Sequence, residues 1–468
     1  MKTAIAQIKL RTGDFEYNFK RISDTIKNTD CDLLIFPNIE DLGCKDLVYD
    51  AEFQKAQINM FEKLTNEQSN KSILVGDILI RNGKIKTTDD GFFIINGKTV
   101  YVDEIFRDDV ACDLYVLSKN KYFAMNKSEE FIESICTSNN FVYVNAIAMA
   151  DSDIFSGGSF VKNKDNELVT EFPLCEEKTA IIDFESQTTK HKRNAEADIF
   201  KVLTFALKEY CEITGFQKVI VGLSGGIDSA LVTALASFAI GAENVYAIMM
   251  PSMYSSEGSV KDSVKLAENL GIQIEKMPIT PVFENFMENI GKDRNGDLAE
   301  ENLQARIRAL ILMFFSNRQN RLLLNTSNKS ESAMGFGTLY GDLAGGLNLL
   351  ADLTKTNVYK LCSYINREKE IIPQEIIDKA PSAELRPNQK DSDRLPEYTI
   401  LDDIIEMYVE QNISAEEIYK KYDKKIVDDV IRKIYRNQFK RKQTCLGVRL
   451  TERSFCNGVD LPVIQRFY

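Results

Sequence analysis

The sequence contains no tryptophan, a single histidine and no Cys-x-x-Cys pair. No apolar run reaches the roughly 18 residues that would suggest a membrane-spanning helix. The lone histidine, His191, stands in a charged stretch, Lys190-His191-Lys192-Arg193. This argues against a His-Glu-His zinc site, a Ser-His-Asp triad and a Cys-His pair, so any chemistry should rest on backbone amides, carboxylates, Lys, Arg and bound cofactors. The nine cysteines are odd in number and unpaired in spacing, and the first residues form no apolar leader. A reducing, cytoplasmic location is therefore expected. Basic charge is also short. There are 58 Lys+Arg against 70 Asp+Glu, a net charge of −12, so neither a nucleic acid nor a membrane is an expected partner. What remains is a chain of 468 residues, 44% hydrophobic and 27% charged, which is ordinary for a globular protein of one or two domains.

The first 185 or so residues read as short strands with occasional helices. Thr3 to Ile8, Asp32 to Phe36, Ile73 to Val75, Phe92 to Ile95, Leu114 to Val116, Phe141 to Ile147 and Ala180 to Ile182 are strand-like runs, while Tyr17 to Ile26 has helical spacing. Asn96-Gly97 and Asn163-Lys164-Asp165-Asn166 read as hairpin turns, because these residues tolerate positive φ. Residues 184 to 194 are polar and aperiodic, and read as a linker. Beyond them strands and helices alternate: helix 195–213, strand 217–223, a helix from about 228, strand 244–250, helix 259–270, strand 272–277, helix 298–319 and strand 321–325. Such alternation implies a parallel sheet covered by helices. Helical periodicity then runs from about 400 to 438.

One junction carries the chemistry. The apolar strand ending in Gly222 and Leu223 runs into Ser224-Gly225-Gly226-Ile227-Asp228-Ser229, and a helix follows. Glycines that admit a close approach, next to the free amides of a helix N-terminus, make a phosphate site. Ser224 and Ser229 add hydroxyl donors. A bare phosphate would repel Asp228, which suits that residue to a magnesium ion bridging phosphate oxygens. A Gly-Gly turn ordinarily does no more than pack a strand on a helix, and Ser156-Gly157-Gly158-Ser159 is read that way, since a strand follows it. The loop lacks the Gly-Lys-Ser/Thr ending of a Walker motif. Asp293-Arg294-Asn295-Gly296-Asp297 mimics a calcium loop, but its twelfth position is Gln304, so that reading is rejected.

Ser-Gly-Gly-Ile-Asp-Ser resembles the pyrophosphate loop of ATP pyrophosphatases, and further segments make the chain similar to NAD synthetases of the two-domain type. These are Glu301-Asn302-Leu303-Gln304-Ala305-Arg306-Ile307-Arg308, Asn325 to Glu331, Tyr340-Gly341-Asp342 to Gly346, Asp352 to Tyr359 with Lys355, Pro381 to Gln389, and Asn437 to Gln443 with Lys440. The resemblance implies an α/β fold: a nitrilase-like α/β/β/α domain over 1–185 and a doubly wound parallel sheet of the adenine nucleotide alpha hydrolase type over 195–468. It implies ATP at Gly222, Leu223, Ser224, Gly225, Gly226, Ile227, Asp228, Ser229, Thr326 and Lys355. Asp228 and Lys355 would be the catalytic groups, with magnesium on Asp228 and Glu331. The second substrate would meet Asn302, Arg306, Glu331, Asp342 and Lys440. The implied reaction is two-step: the carboxylate of deamido-NAD attacks ATP to give an adenylate and pyrophosphate, then ammonia displaces AMP. A homo-oligomer is expected on the same ground, and residues 381 to 396 are read as a loop over the site.

The N-terminal segment departs from the nitrilase pattern. Where that family has Phe-Pro-Glu, this chain has Phe36-Pro37-Asn38, and an amide is no general base. Glu40 and Asp41 are near but out of register. No lysine follows Asn96-Gly97-Lys98 at the usual spacing, and neither Cys112 nor Cys136, the latter read as a buried residue on a helix, has an evident activating base. An inactive amidase domain and an ammonia-using synthetase are therefore expected. The alternatives are an amidating ligase acting on nicotinate mononucleotide, a glutamine-dependent enzyme with a non-standard site, and a scaffold without activity.

Overall fold

A computed structural model describes the chain except for residues 41, 68–69, 187–192, 292–294, 388, 394 and 468. His191, Asp41 and part of the calcium-like loop thus lie outside the described residues, as does most of the expected linker. The chain divides into two compact units, Met1–Val202 and Leu203–Tyr468.

In chain order the first unit carries β1 (Thr3–Gln7), α1 (Phe15–Asn28), β2 (Leu33–Phe36), α2 (Ala51–Thr65), β3 (Ser72–Val75), β4 (Ile78–Arg81), β5 (Lys84–Lys86), β6 (Phe92–Ile95) and β7 (Lys98–Asp103). There follow β8 (Leu114–Leu117), α3 (Ser128–Ser134), β9 (Asn140–Tyr143), β10 (Ile147–Ala150), β11 (Asp153–Ser156), β12 (Phe160–Lys162), β13 (Leu168–Glu171) and β14 (Lys178–Ile182). Two six-stranded sheets form, in the orders β14-β1-β2-β3-β4-β5 and β13-β12-β9-β8-β7-β6. Because strand side chains alternate between faces, each sheet serves two cores. Ile5, Leu33, Ile35 and Leu74 of the first sheet meet Val100, Val116, Val142 and Val161 of the second. On the outer faces, Ala4, Leu34 and Phe36 pack on Ile22 and Ile26 of α1 and Phe61 and Leu64 of α2, while Tyr115, Phe141 and Phe160 pack near Phe131 of α3. The result is an α/β/β/α sandwich.

Both expected turns are present, with positive φ at Asn96 and Asn166. Two readings are corrected. The run Phe141 to Ile147 is two strands, because residues 144–146 leave the sheet to bond with side chains: Asn145 N donates to Ser159 Oγ at 3.0 Å and Ala146 N to Asn120 Oδ1 at 3.1 Å. Cys136 is exposed and lies beyond the end of α3. The second Ser-Gly-Gly packs β11 onward into β12. A Cβ on Gly157 would stand 2.5 Å from the Gln7 side chain, which is fixed by bonds to Pro173 O, Glu176 O and Ser159 N.

The second unit begins within α4 (Ala195–Thr214). It continues with β15 (Val219–Gly222), α5 (Ile227–Ile240), β16 (Val245–Met249), α6 (Glu257–Leu270), β17 (Gln273–Lys276), α7 (Thr280–Ile290), α8 (Leu298–Gln319) and β18 (Leu322–Asn325). Then come α9 (Lys329–Met334), β19 (Leu347–Asn348), α10 (Lys355–Ile365), α11 (Gln374–Asp378), α12 (Tyr398–Ile405), a π-helical turn (Glu406–Glu410), α13 (Ala415–Ile418), α14 (Lys424–Arg436), α15 (Gln438–Arg441) and β20 (Leu446–Gly447). The six strands are all parallel, in the order β17-β16-β15-β18-β19-β20. From β15 the chain winds outward through β16 and β17, then returns to β18 on the other side. That reversal opens a crevice at the carboxyl ends of β15 and β18, where open α/β sheets take ligands. Among the described residues no helix is long and apolar enough to cross a membrane.

Candidate functional site

The carboxyl end of β15 leads straight into the crevice. Gly225 has φ +78°, and a Cβ there would stand 2.5 Å from Ser259 O of α6. Glycine is thus required both by the backbone and by the neighbouring helix. Ser224 and Ser229 join their hydroxyls at 3.0 Å, Gly226 N donates to Ser224 Oγ, and Ser229 Oγ donates to Gly226 O. This tight turn opens α5, whose N-cap, Gly226, has no side chain to close the first turn. The helix start therefore faces the crevice with its positive end.

A cavity of about 300 Å³ lies there. All eight loop residues, 222 to 229, line it, together with Thr326, Glu331, Asp342 and Lys355. Asp228 is the hub: Lys355 Nζ donates to its Oδ2 and Asn328 Nδ2 to its Oδ1 at 2.9 Å. Lys355 Nζ lies 3.7 Å from Glu331 Oε1, so one ammonium serves two carboxylates. Burial alone would lower the Lys355 pKa, but Asp228 and Glu331 outweigh it and raise it. Glu331 is held by a reciprocal capping box with Asn328 at the start of α9. Burial, then the charge of Asp228, push its carboxyl up to about 8, against the pull of Lys355. Asp342 accepts from Thr338 N at 2.7 Å, and desolvation raises its pKa too.

Three residues expected at the second substrate do not line this cavity. Asn302 Oδ1 accepts from Thr338 Oγ1 at 2.7 Å, Arg306 Nε donates to Leu339 O at 3.2 Å, and Lys440 Nζ donates to Gly335 O and Gly337 O, each at 2.7 Å. Together they support the segment 335–342, which leads to Asp342. Arg308, which the sequence places near Arg306 as a further guanidinium donor, does line the cavity, as do Lys379 and Glu384, whose roles the sequence does not signal. Arg308 Nε donates to Met250 O at 3.0 Å, and burial brings its pKa down to about 10. Glu384 accepts from Ser256 N, Ser256 Oγ and Ser259 Oγ at 2.7–3.2 Å, fastening residues 381–385 to the start of α6 beside the phosphate loop. Met250, Leu312 and Leu323 supply an apolar wall. The available signal for these contacts was the quoted segment Pro381 to Gln389, which named the loop but not its partner.

A parallel sheet with a Ser-Gly-Gly-Ile-Asp-Ser turn at its switch point, facing carboxylates bridged by a lysine, defines an α/β protein of the nucleotide-binding, phosphate-loop class. The NAD synthase family profile matches residues 199–444, and the chain belongs to this family. It is 31% identical to a glutamine-dependent NAD(+) synthetase of Acinetobacter baylyi over 99% of this chain and 98% of that protein. Glutamine-dependent NAD(+) synthetases of Synechocystis and Thermotoga maritima are 40% and 39% identical over 70% and 69% of this chain. Those two alignments span 61% and 64% of the relatives' own length, so the chain covers less than two thirds of each. Among solved structures, a glutamine-dependent NAD+ synthetase from Acinetobacter baumannii in complex with ADP covers 99% of this chain and 98% of its own, with TM-score 0.74 and 29% identity. The enzyme of the same name from Cytophaga hutchinsonii, at 17% identity, TM-score 0.83 and the same coverages, shares the fold.

Proposed function

We propose that this protein is an NAD synthetase. It amidates deamido-NAD to NAD through an adenylate, releasing AMP and pyrophosphate, and it draws on free ammonia. The observation that carries the reading is the Ser224–Ser229 turn meeting Asp228, Lys355 and Glu331 in one crevice. The carboxylate of deamido-NAD attacks the α-phosphorus, pyrophosphate leaves, and ammonia then displaces AMP. Neither step requires a side-chain nucleophile; both require positioned substrates and neutralised phosphate charge. The loop amides and Lys355 would hold the phosphates, while Thr326 and the wall of Met250 and Leu312 would hold the nucleoside. Asp228 and Glu331 would hold magnesium. A pair of hard oxygen donors suits an ion that also takes water and phosphate oxygens, and a buried carboxyl held up at about 8 has room to give its proton to a cation's field. When bound, the ion would neutralise charge on the transferring phosphate.

The first unit is proposed as a nitrilase-like domain without amidase activity. Asn38 sits where the base would stand, and its Oδ1 accepts from Glu40 N at 2.8 Å. Burial raises the thiol pKa values of Cys31, Cys112 (to about 11) and Cys175, the reverse of what a nucleophile needs. The second unit is proposed as the synthetase over 195–468. A homo-oligomer is proposed through α7 and α8, which leave Val282, Phe286 and Ile290, and Leu310, Met313 and Phe314, exposed in helical stripes. Nine free cysteines fit a cytoplasmic setting.

The test compares ammonium with glutamine as sole nitrogen donor for NAD formation by the purified protein. Ammonium should support turnover and glutamine should fall at least about a hundredfold below it, the scale of a lost general acid–base group. The names of the relatives favour the second reading, a glutamine-dependent enzyme with a non-standard site, and efficient glutamine-driven turnover would establish that instead. Deamido-NAD and nicotinate mononucleotide run in parallel decide the acceptor.

A further inference from the structure

Helix α10 carries Lys355 at its first position, yet it does not cap itself. Thr354 makes no side-chain cap bond to the helix, and its hydroxyl pairs with Thr356 Oγ1 at 3.1 Å. Buried helix amides must be satisfied, and here the acceptors come from other elements. Lys355 N donates to Ser330 Oγ at 2.9 Å, and Thr356 N donates to Asp402 Oδ2 at 2.8 Å. The hydroxyl of Ser330 in turn donates to Asp402 Oδ1. One carboxylate therefore ties the residue after Lys355 to the residue before Glu331.

Asp402 is 4% exposed and does not line the cavity. It lies on α12, one turn after Tyr398, so both face the same way. The Tyr398 ring centre stands 5.5 Å from Lys355 Nζ, and its hydroxyl donates to Asp391 Oδ2 at 2.8 Å. Behind them Leu401, Ile404 and Ile405 pack with Ala333 and Met334 of α9. Helix α12 is thus fixed in the core, and Asp402 passes that fixed position to the two helix starts at the site.

We propose that Asp402 is a positioning residue, acting through Ser330 and Thr356 to hold the Lys355 ammonium between Asp228 and Glu331. The proposal rests on the synthetase reading for its kinetic consequence but not for its geometric one. Asp402 touches no substrate; its role is to fix where a charge sits. A misplacement of about 1 Å at such a group can cost about a hundredfold in rate. The groups facing Glu331 are Asp228 from α5, Lys355 from α10, Asp391 from the turn before α12, and Tyr398 from α12.

The experiment uses the full chain with D402N, D402A and S330A, measuring kcat, KM for ATP and for deamido-NAD, ATP affinity by calorimetry, and melting temperature. The expected result is that D402N folds and loses about tenfold or more in kcat, with KM for deamido-NAD little changed, while D402A loses more. ATP affinity should fall about threefold or more in D402N at a wild-type melting temperature, because Lys355 is placed to meet the nucleotide's phosphates. Equal kcat per folded molecule and an unchanged ATP affinity in D402N would overturn the proposal, as would loss of activity that only follows loss of folded protein. If D402A fails to fold, D402N and S330A carry the decision. If the wild type makes no NAD, the synthetase reading fails, and ATP affinity at a wild-type melting temperature judges Asp402.

Discussion

Glu331 is the residue whose chemistry reaches furthest. Its carboxyl is raised to about 8 in the fold against an ordinary value near 4.5, so the folded state holds this proton more tightly than the unfolded chain does. The associated stability is fully present below the unfolded value and is lost as pH rises through about 8. The wild type should therefore lose melting temperature relative to E331Q between pH 5 and pH 8, by about several degrees. The measurement is a pair of thermal melts across that range. A constant difference would show that Glu331 does not titrate there. A divalent cation with nucleotide should move the wild-type profile back toward lower pH, because a positive charge favours the ionised carboxyl. The cysteines carry the opposite lesson. Every shift resolved among them is upward and led by burial, which describes small apolar residues rather than reagents.

Among the elements, the phosphate turn is the least tolerant of change. Gly225→Ala would impose a left-handed conformation on a residue with a Cβ and drive that atom onto Ser259 O. The backbone cost alone is about 1–2 kcal/mol. The clash must be relieved by moving either α6 or the loop. G225A should therefore lower the melting temperature and, more sharply, abolish deamido-NAD-dependent exchange of pyrophosphate into ATP; retention of wild-type exchange would contradict this account. Legibility also varies by element. Helix α8 begins and ends where the spacing put it, because Asp297 caps its start by accepting from Ala299 N and Glu300 N, and Asn320 turns left-handed at its end. Such signals are local, so a sequence displays them. The break between β9 and β10 is invisible by the same logic, since both strands and the link between them are buried and no polar period marks the bend. Strands β19 and β20 are two residues each and exist only because distant segments pair. The phosphate loop was readable because all its parts are contiguous. The bonds of Asn302, Arg306 and Lys440 to residues 335–339 join distant segments, so no spacing reveals them.

For the whole molecule, the apolar stripes that α7 and α8 leave exposed are the surface proposed for a second copy. Phe314 is 52% and Leu310 68% exposed, and the two lie one turn apart. If these faces meet a second copy, L310D with F314D should shift the mass measured by light scattering to that of one chain, while far-UV dichroism stays unchanged. An unchanged mass would place the contact elsewhere. The foreign capping of α10 has a consequence in time. As the chain is synthesised, the phosphate turn, Glu331 and Lys355 all emerge before Asp402. The emerging chain holds every charged group of the crevice before it holds the brace that orders them. The crevice thus reaches its ordered form only once residue 402 has joined the fold.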